Sequence, residues 1–121
     1  MASPSNVPGA RFQTLSWTDS SGNFWFFGGD GPISNEGVNQ FYNDLWKYSG
    51  GQWTWMSGSN AANQAGTYGT QGTPASTNAP GARTDSVDWT DASGNLWLFA
   101  GAGVDSAGTS DDLNDLWKYE P

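Results

Sequence analysis

The chain has 121 residues, enough for one ordinary domain, with eight Trp, six Phe and four Tyr but only 13% charged residues. Its net charge is −8 and its only cations are Arg11, Lys47, Arg83 and Lys118, which excludes nucleic acid and anionic membrane surfaces as partners. There is no Cys and no His, so disulfides, thiol nucleophiles, an imidazole base and nitrogen or sulfur metal sites are excluded too.

The opening MASPSNVPGAR has no apolar core and does not read as a signal peptide; residues 1–10 are expected to form a loop segment. No stretch is long enough to cross a bilayer, so a soluble chain is expected and its compartment stays open. Residues 11–18, mixed in polarity, predict a first strand. DSSGN at 19–23 is a tight polar turn, rich in residues that tolerate positive φ. FWFFG at 24–28 is apolar throughout, the pattern of a strand covered on both faces. A loop over 29–40 leads to NDLWKY at 43–48, and Gly50-Gly51 makes a two-residue hairpin turn into QWTWM at 52–56. Residues 11–56 therefore predict a four-stranded antiparallel meander. A long connection follows over 57–82, with Tyr68 as its only aromatic residue.

The same order then returns. A shift of 72 residues aligns 8–29 with 80–101 at 13 identical positions of 22, and a shift of 71 superposes NDLWKY on its second copy at 114–119. The second unit, 83–119, has the turn DASGN at 91–95, the apolar run LWLFA at 96–100 and a loop over 101–111. It lacks a counterpart of QWTWM, so its third strand is expected to be an open edge. Antiparallel order sends the tight turns to one end of each sheet and the long loops, 29–40 and 57–79, to the other. A small sheet apolar on both faces needs neighbouring sheets against it. Similarity this close fits a recent amplification of the unit, or a deliberately cut piece of a longer array.

Pro-Gly-Ala-Arg, a strand ending in Gly28-Gly29, NDLWKY and then a Trp-bearing strand resemble the kelch repeat of β-propellers. WTDASGNLWLF and WTWMSGSN resemble, more narrowly, the long kelch-like repeats of bacterial proteins. The second unit departs from the pattern with Ala100-Gly101 in place of the Gly pair. The resemblance implies an all-β fold of kelch-like propeller blades: one complete four-stranded blade plus a three-stranded second blade, completed into a ring by oligomerisation. Family rings usually have six or seven blades. Some kelch propellers are copper oxidases, but this sequence lacks the His and Cys such a site would use, so no cofactor, metal or catalytic residue is assigned.

The remaining polar candidates have bland readings beside their functional ones. Asp105, Asp111 and Asp112 crowd one loop, where oxygen ligands could face a ligand or calcium; a solvated acidic loop is the simpler reading. Asp85 and Asp88 fall on opposite faces of a strand and are not expected to act as an acid–base pair. Asp19 and Asp91 are expected to cap their turns. Arg11 and Arg83 are expected to bond Asp44 and Asp115 and so tie strands together. Trp25, Trp46, Trp97 and Trp117 are expected in the packing between blades, and Tyr68 is expected to be exposed and available to a ligand.

Two exposed blade faces would leave more apolar surface than a monomer tolerates, so the expected partner is another copy of the chain. Three chains give six blades and four give eight, with the trimer preferred as nearer the family's ring size. The sequence thus points to a self-assembling structural scaffold without catalysis. The alternative is a module that binds carbohydrate or protein through its long-loop face.

Overall fold

The computed structural model describes all residues except Ala2 and Pro4, which lie within the expected 1–10 loop segment. It holds two antiparallel sheets, each of four strand segments, and no helix among the described residues. The first sheet runs in chain order: β1 (Leu15–Thr18), β2 (Phe24–Phe27), β3 (Leu45–Ser49) and β4 (Gln52–Ser57). The turns explain the order. Gly50 and Gly51 both take positive φ, at 57° and 78°, as a two-residue hairpin turn requires. In the 19–23 turn, Asp19 does the work of a capping residue. Its Oδ1 accepts the Ser21 and Asn23 amides and its Oδ2 accepts the Asn23 side chain and Trp25 Nε1.

The second sheet contains β5 (Arg83–Thr84), β6 (Val87–Thr90), β7 (Leu96–Val104) and β8 (Ser110–Tyr119). Both β5 and β6 pair with one edge of β7, and β8 pairs with the other. The sheet is therefore three strands wide, and no strand lies outside β8 among the described residues.

Two expectations need correction. The first strand of each unit is not continuous. Gln13 and Asp85, at matching places, turn to φ 53° and 55° and break the strand, leaving a single bridge at Phe12 in the first unit and the short β5 in the second. Ser86 Oγ then donates to the Ala100 carbonyl across the break. The loop expected over 101–111 is also shorter. Residues 101–104 and 110–113 continue the β7–β8 hairpin, and only 105–109 turn, because Asp105 Oδ1 accepts the Ala107 and Thr109 amides and closes the chain early.

Strand alternation gives each sheet two faces. The first sheet's front face carries Leu15, Trp17, Trp25, Phe27 and Leu45. It packs on Leu96, Leu98, Trp117 and Tyr119 from the back face of the second sheet. The backbone of Arg83 stitches this junction, donating to the Tyr42 carbonyl at 3.0 Å and accepting from the Gly29 amide at 2.9 Å. Such a close approach needs glycine at position 28, where a Cβ would meet the Arg83 carbonyl oxygen at 2.7 Å.

Candidate functional site

The repeat places an Arg–Asp–Trp cluster in each sheet. Asp44, buried at the head of β3, accepts both terminal nitrogens of Arg11, at 2.5 and 3.0 Å, and Trp46 Nε1 at 2.7 Å. Asp115 repeats this with Arg83, at 2.6 and 2.8 Å, and Trp117 Nε1 at 2.6 Å. Bidentate bonding of this kind holds a guanidinium in one plane. Each Arg also donates to a carbonyl of its own unit, Arg11 to Gly28 and Arg83 to Ala100. Burial pushes the Asp115 carboxyl up, but the bonds from Arg83, Tyr68 and Trp117 outweigh it and hold the pKa at about 2.

The two clusters differ in what lies against them. In the second sheet, Tyr68 lays its ring on Trp117, with centroids 5.0 Å apart, and donates its hydroxyl to Asp115 Oδ2. Tyr68 is therefore not the free side chain expected of it. It is 46% exposed, yet its ring and its hydroxyl are both engaged. In the first sheet the same cluster borders a cavity of about 350 Å³. Its walls include Arg11, Tyr42, Asp44, Trp46 and Trp55, with Val7, Gly9 and Asn60 completing the lining. Arg11 also stacks over the Tyr42 ring, 4.4 Å from its centroid.

The acidic loop does not converge into a site. Asp105 is used by its own turn, and Asp111 and Asp112 are adjacent on β8 and so face opposite ways. Among the described residues, no group of three or more acidic side chains could hold a metal ion. Asp88 accepts the Ser16 amide across the junction at 2.7 Å, while Asp85 lies in the strand break and is exposed. Asp91 repeats the capping bonds of Asp19 atom for atom. Bonds from Trp97 and Asn95 hold the Asp91 carboxyl at about 2. At Asp19, burial opposes the same pattern and loses, leaving the pKa at about 2.

The larger feature is the pair of open sheet faces. The front-face residues of the first sheet are 1% to 6% exposed. Their counterparts in the second, Val87, Trp89, Phe99 and Leu116, are 41% to 61% exposed, with Trp89 stacked on a half-buried Trp97. The back faces reverse this in part: Leu96 and Leu98 are buried, while of the first sheet's residues Phe24 and Tyr48 are 40% exposed and Phe26 stays buried. Phe24, Phe26, Trp46 and Tyr48 there surround Trp53 in an aromatic cluster. The chain thus contains one front-to-back junction and leaves the front face of its second sheet open and the back face of its first partly open. Its accessible surface, 6977 Å², exceeds the about 6,300 Å² expected of a monomer of this size. Repeat alignment carried a signal for these faces; it carried none for the cavity, which depends on Trp55 and the segment before Arg11.

No protein-family model matches the chain, and no curated protein matches it. Among solved structures, that of YjhT is similar, with 23% identity and a TM-score of 0.50 over 77% of this chain. The chain spans about a fifth of that protein, 21% of its length. The likeness concerns the fold alone.

Proposed function

We propose that the chain is a kelch-like β-propeller fragment, two blades in extent, that stacks front to back with copies of itself as a structural scaffold without catalysis of its own. The observation that carries this reading is the match between the internal junction and the open faces. Leu15, Trp17, Trp25, Phe27 and Leu45 are covered within the chain, and the repeat-matched Val87, Trp89, Trp97, Phe99 and Leu116 offer a second copy the same surface. A front-to-back contact is heterologous, so it propagates until a ring closes. Three chains close six blades, the count nearest the family's rings, and four close eight.

Covering large apolar side chains is worth about 1.5–3 kcal/mol each when complete. One junction of this kind has to exceed an association cost of roughly 4–15 kcal/mol. Ring closure helps, because each chain then makes two junctions. Trp89→Glu tests the reading: it places a charge on the open front face, where the side chain is exposed enough to leave the chain folded. The variant is expected to sediment as a folded monomer where the unaltered chain sediments as a larger particle. Unchanged sedimentation of the variant would count against the front face as the contact.

A further inference from the structure

The chain carries an internal replica of the cluster that borders the first-sheet cavity, with a tyrosine seated on it. We propose that the cavity beside Arg11, Asp44 and Trp46 is a binding site for a phenol, its ring against Trp46 and its hydroxyl donating to Asp44.

An ionised carboxylate has about four acceptor positions. Asp115 uses four: two for Arg83, one for Trp117 Nε1 and one for the Tyr68 hydroxyl. Asp44 has the same Arg and Trp donors and accepts three. In the replica Tyr68 supplies the fourth donor, on Oδ2 beside Arg83 Nη2 and Trp117 Nε1; Asp44 accepts the same three Arg and Trp bonds and no fourth. The ring surface is repeated as well, since Trp46 matches Trp117 in the NDLWKY repeat and its indole is fixed by the same bond to the carboxylate.

The surroundings suit a ring rather than water alone. At about 350 Å³ the cavity lies within the usual size of small-molecule sites, about 300–1,000 Å³. Trp55, held by its own bond to the Ser57 carbonyl, adds a wall that the second sheet does not have. The Arg11–Asp44 pair is buried and already bonded, so a neutral hydroxyl adds a hydrogen bond without adding a charge. An anionic ligand would meet the Asp44 carboxylate, and an alkyl group would leave the fourth position unused. Tyr68 remains 46% exposed in the replica even though a neighbouring sheet packs beside it. The equivalent site therefore stays accessible when a second copy covers the first sheet, and the proposal does not depend on self-association.

The test titrates the full chain with 4-methylphenol and follows the indole N–H signals of Trp46 and Trp55 by NMR. Saturable binding at one site is expected, moving both signals. 4-Methylanisole, the same ring without an O–H to donate, is expected to bind at least tenfold more weakly. N-acetyl-tyrosinamide separates two sources of the phenol: binding as tight as that of 4-methylphenol supports a tyrosyl side chain as ligand, and weaker binding supports a free phenol. Gly9→Leu puts a side chain at the cavity, where a Cβ would lie 3.8 Å from Arg11 Nη2, and leaves the Arg–Asp pair in place. It is expected to abolish binding with an unchanged circular dichroism spectrum. Equal affinity for 4-methylanisole, no shift of the two indoles up to the solubility of 4-methylphenol, or unaltered binding by the folded Gly9→Leu protein would each overturn the proposal.

Discussion

Gly28 and Ala100 hold the same left-handed backbone, φ 64° and 62°, at matching places in the two repeats. Only Gly28 has another sheet against it: a Cβ there would meet the carbonyl oxygens of Arg83 and Tyr42 at 2.7 and 3.0 Å. Ala100 has its Cβ and carries the strain of positive φ, which glycine does not. Ala100→Gly should therefore stabilise the chain by about 1 kcal/mol, raising Tm by roughly 4 °C. Gly28→Ala should cost about 2 kcal/mol or more, because backbone atoms have to move apart. Thermal melts of the two variants check both signs.

The same pair bears on assembly. If a second copy docks on the second sheet as the second sheet docks on the first, the backbone of its Arg11 approaches Ala100 as that of Arg83 approaches Gly28. Ala100→Gly should then tighten self-association as well as folding. Dilution series followed by sedimentation would reveal this as a shift of dissociation to lower concentration.

Arg83 has no exposed surface and bonds Asp115, Gly81 and Ala100 together. Lysine cannot reproduce the planar fork, and shortening the donor set leaves a buried carboxylate poorly partnered. Arg83→Lys should cost about 3 kcal/mol, measured by urea denaturation. Loss below about 1 kcal/mol would show the pair to be dispensable.

Acid should unfold the chain through its capped and paired carboxyls. Asp19, Asp91 and Asp115 each titrate at about 2 in the fold against an ordinary 3.8. Between those values the unfolded chain holds more protons, so stability rises with pH. It should be fully present above about pH 5 and fall as pH drops from 4 toward 2. Tm measured across that range checks the slope, and Asp91→Asn should flatten part of it.

Alkali acts through Tyr68 and Tyr119, whose hydroxyls are pushed above their ordinary value of 10.0 by burial, with the Asp115 carboxylate adding to the effect at Tyr68. A raised pKa means that the folded state favours the protonated ring. This contribution is complete below pH 10 and is lost above it. Tyr68→Phe should reduce the alkaline loss of Tm, a change that a pH series on the two proteins would detect.

Much of this architecture was legible in the residues. The repeat, the DxSGN turns, the Gly50-Gly51 hairpin and the aromatic strands all depend on local chemistry or on comparison of one unit with the other. The Arg–Asp pairing could be read because each unit supplies one of each beside its strands. What could not be read arises from contacts between distant segments. Gln13 and Asp85 give no sign of positive φ, since neither is a glycine, and the break shows only in the backbone of both units. The extension of β7 and β8 past residue 100 was hidden by polar, Gly-rich sequence that usually marks loops. Tyr68 looked free because its partners, Asp115 and Trp117, lie 47 and 49 positions further along the chain. The cavity on the first sheet was invisible for the same reason.

Under the proposed assembly, the open front face of one chain receives the open back face of the next. Multi-angle light scattering on the purified chain, which reads particle mass directly, tests it most simply. A mass of three chains is expected, with four as the other closed count. A folded particle with the mass of one chain would contradict it.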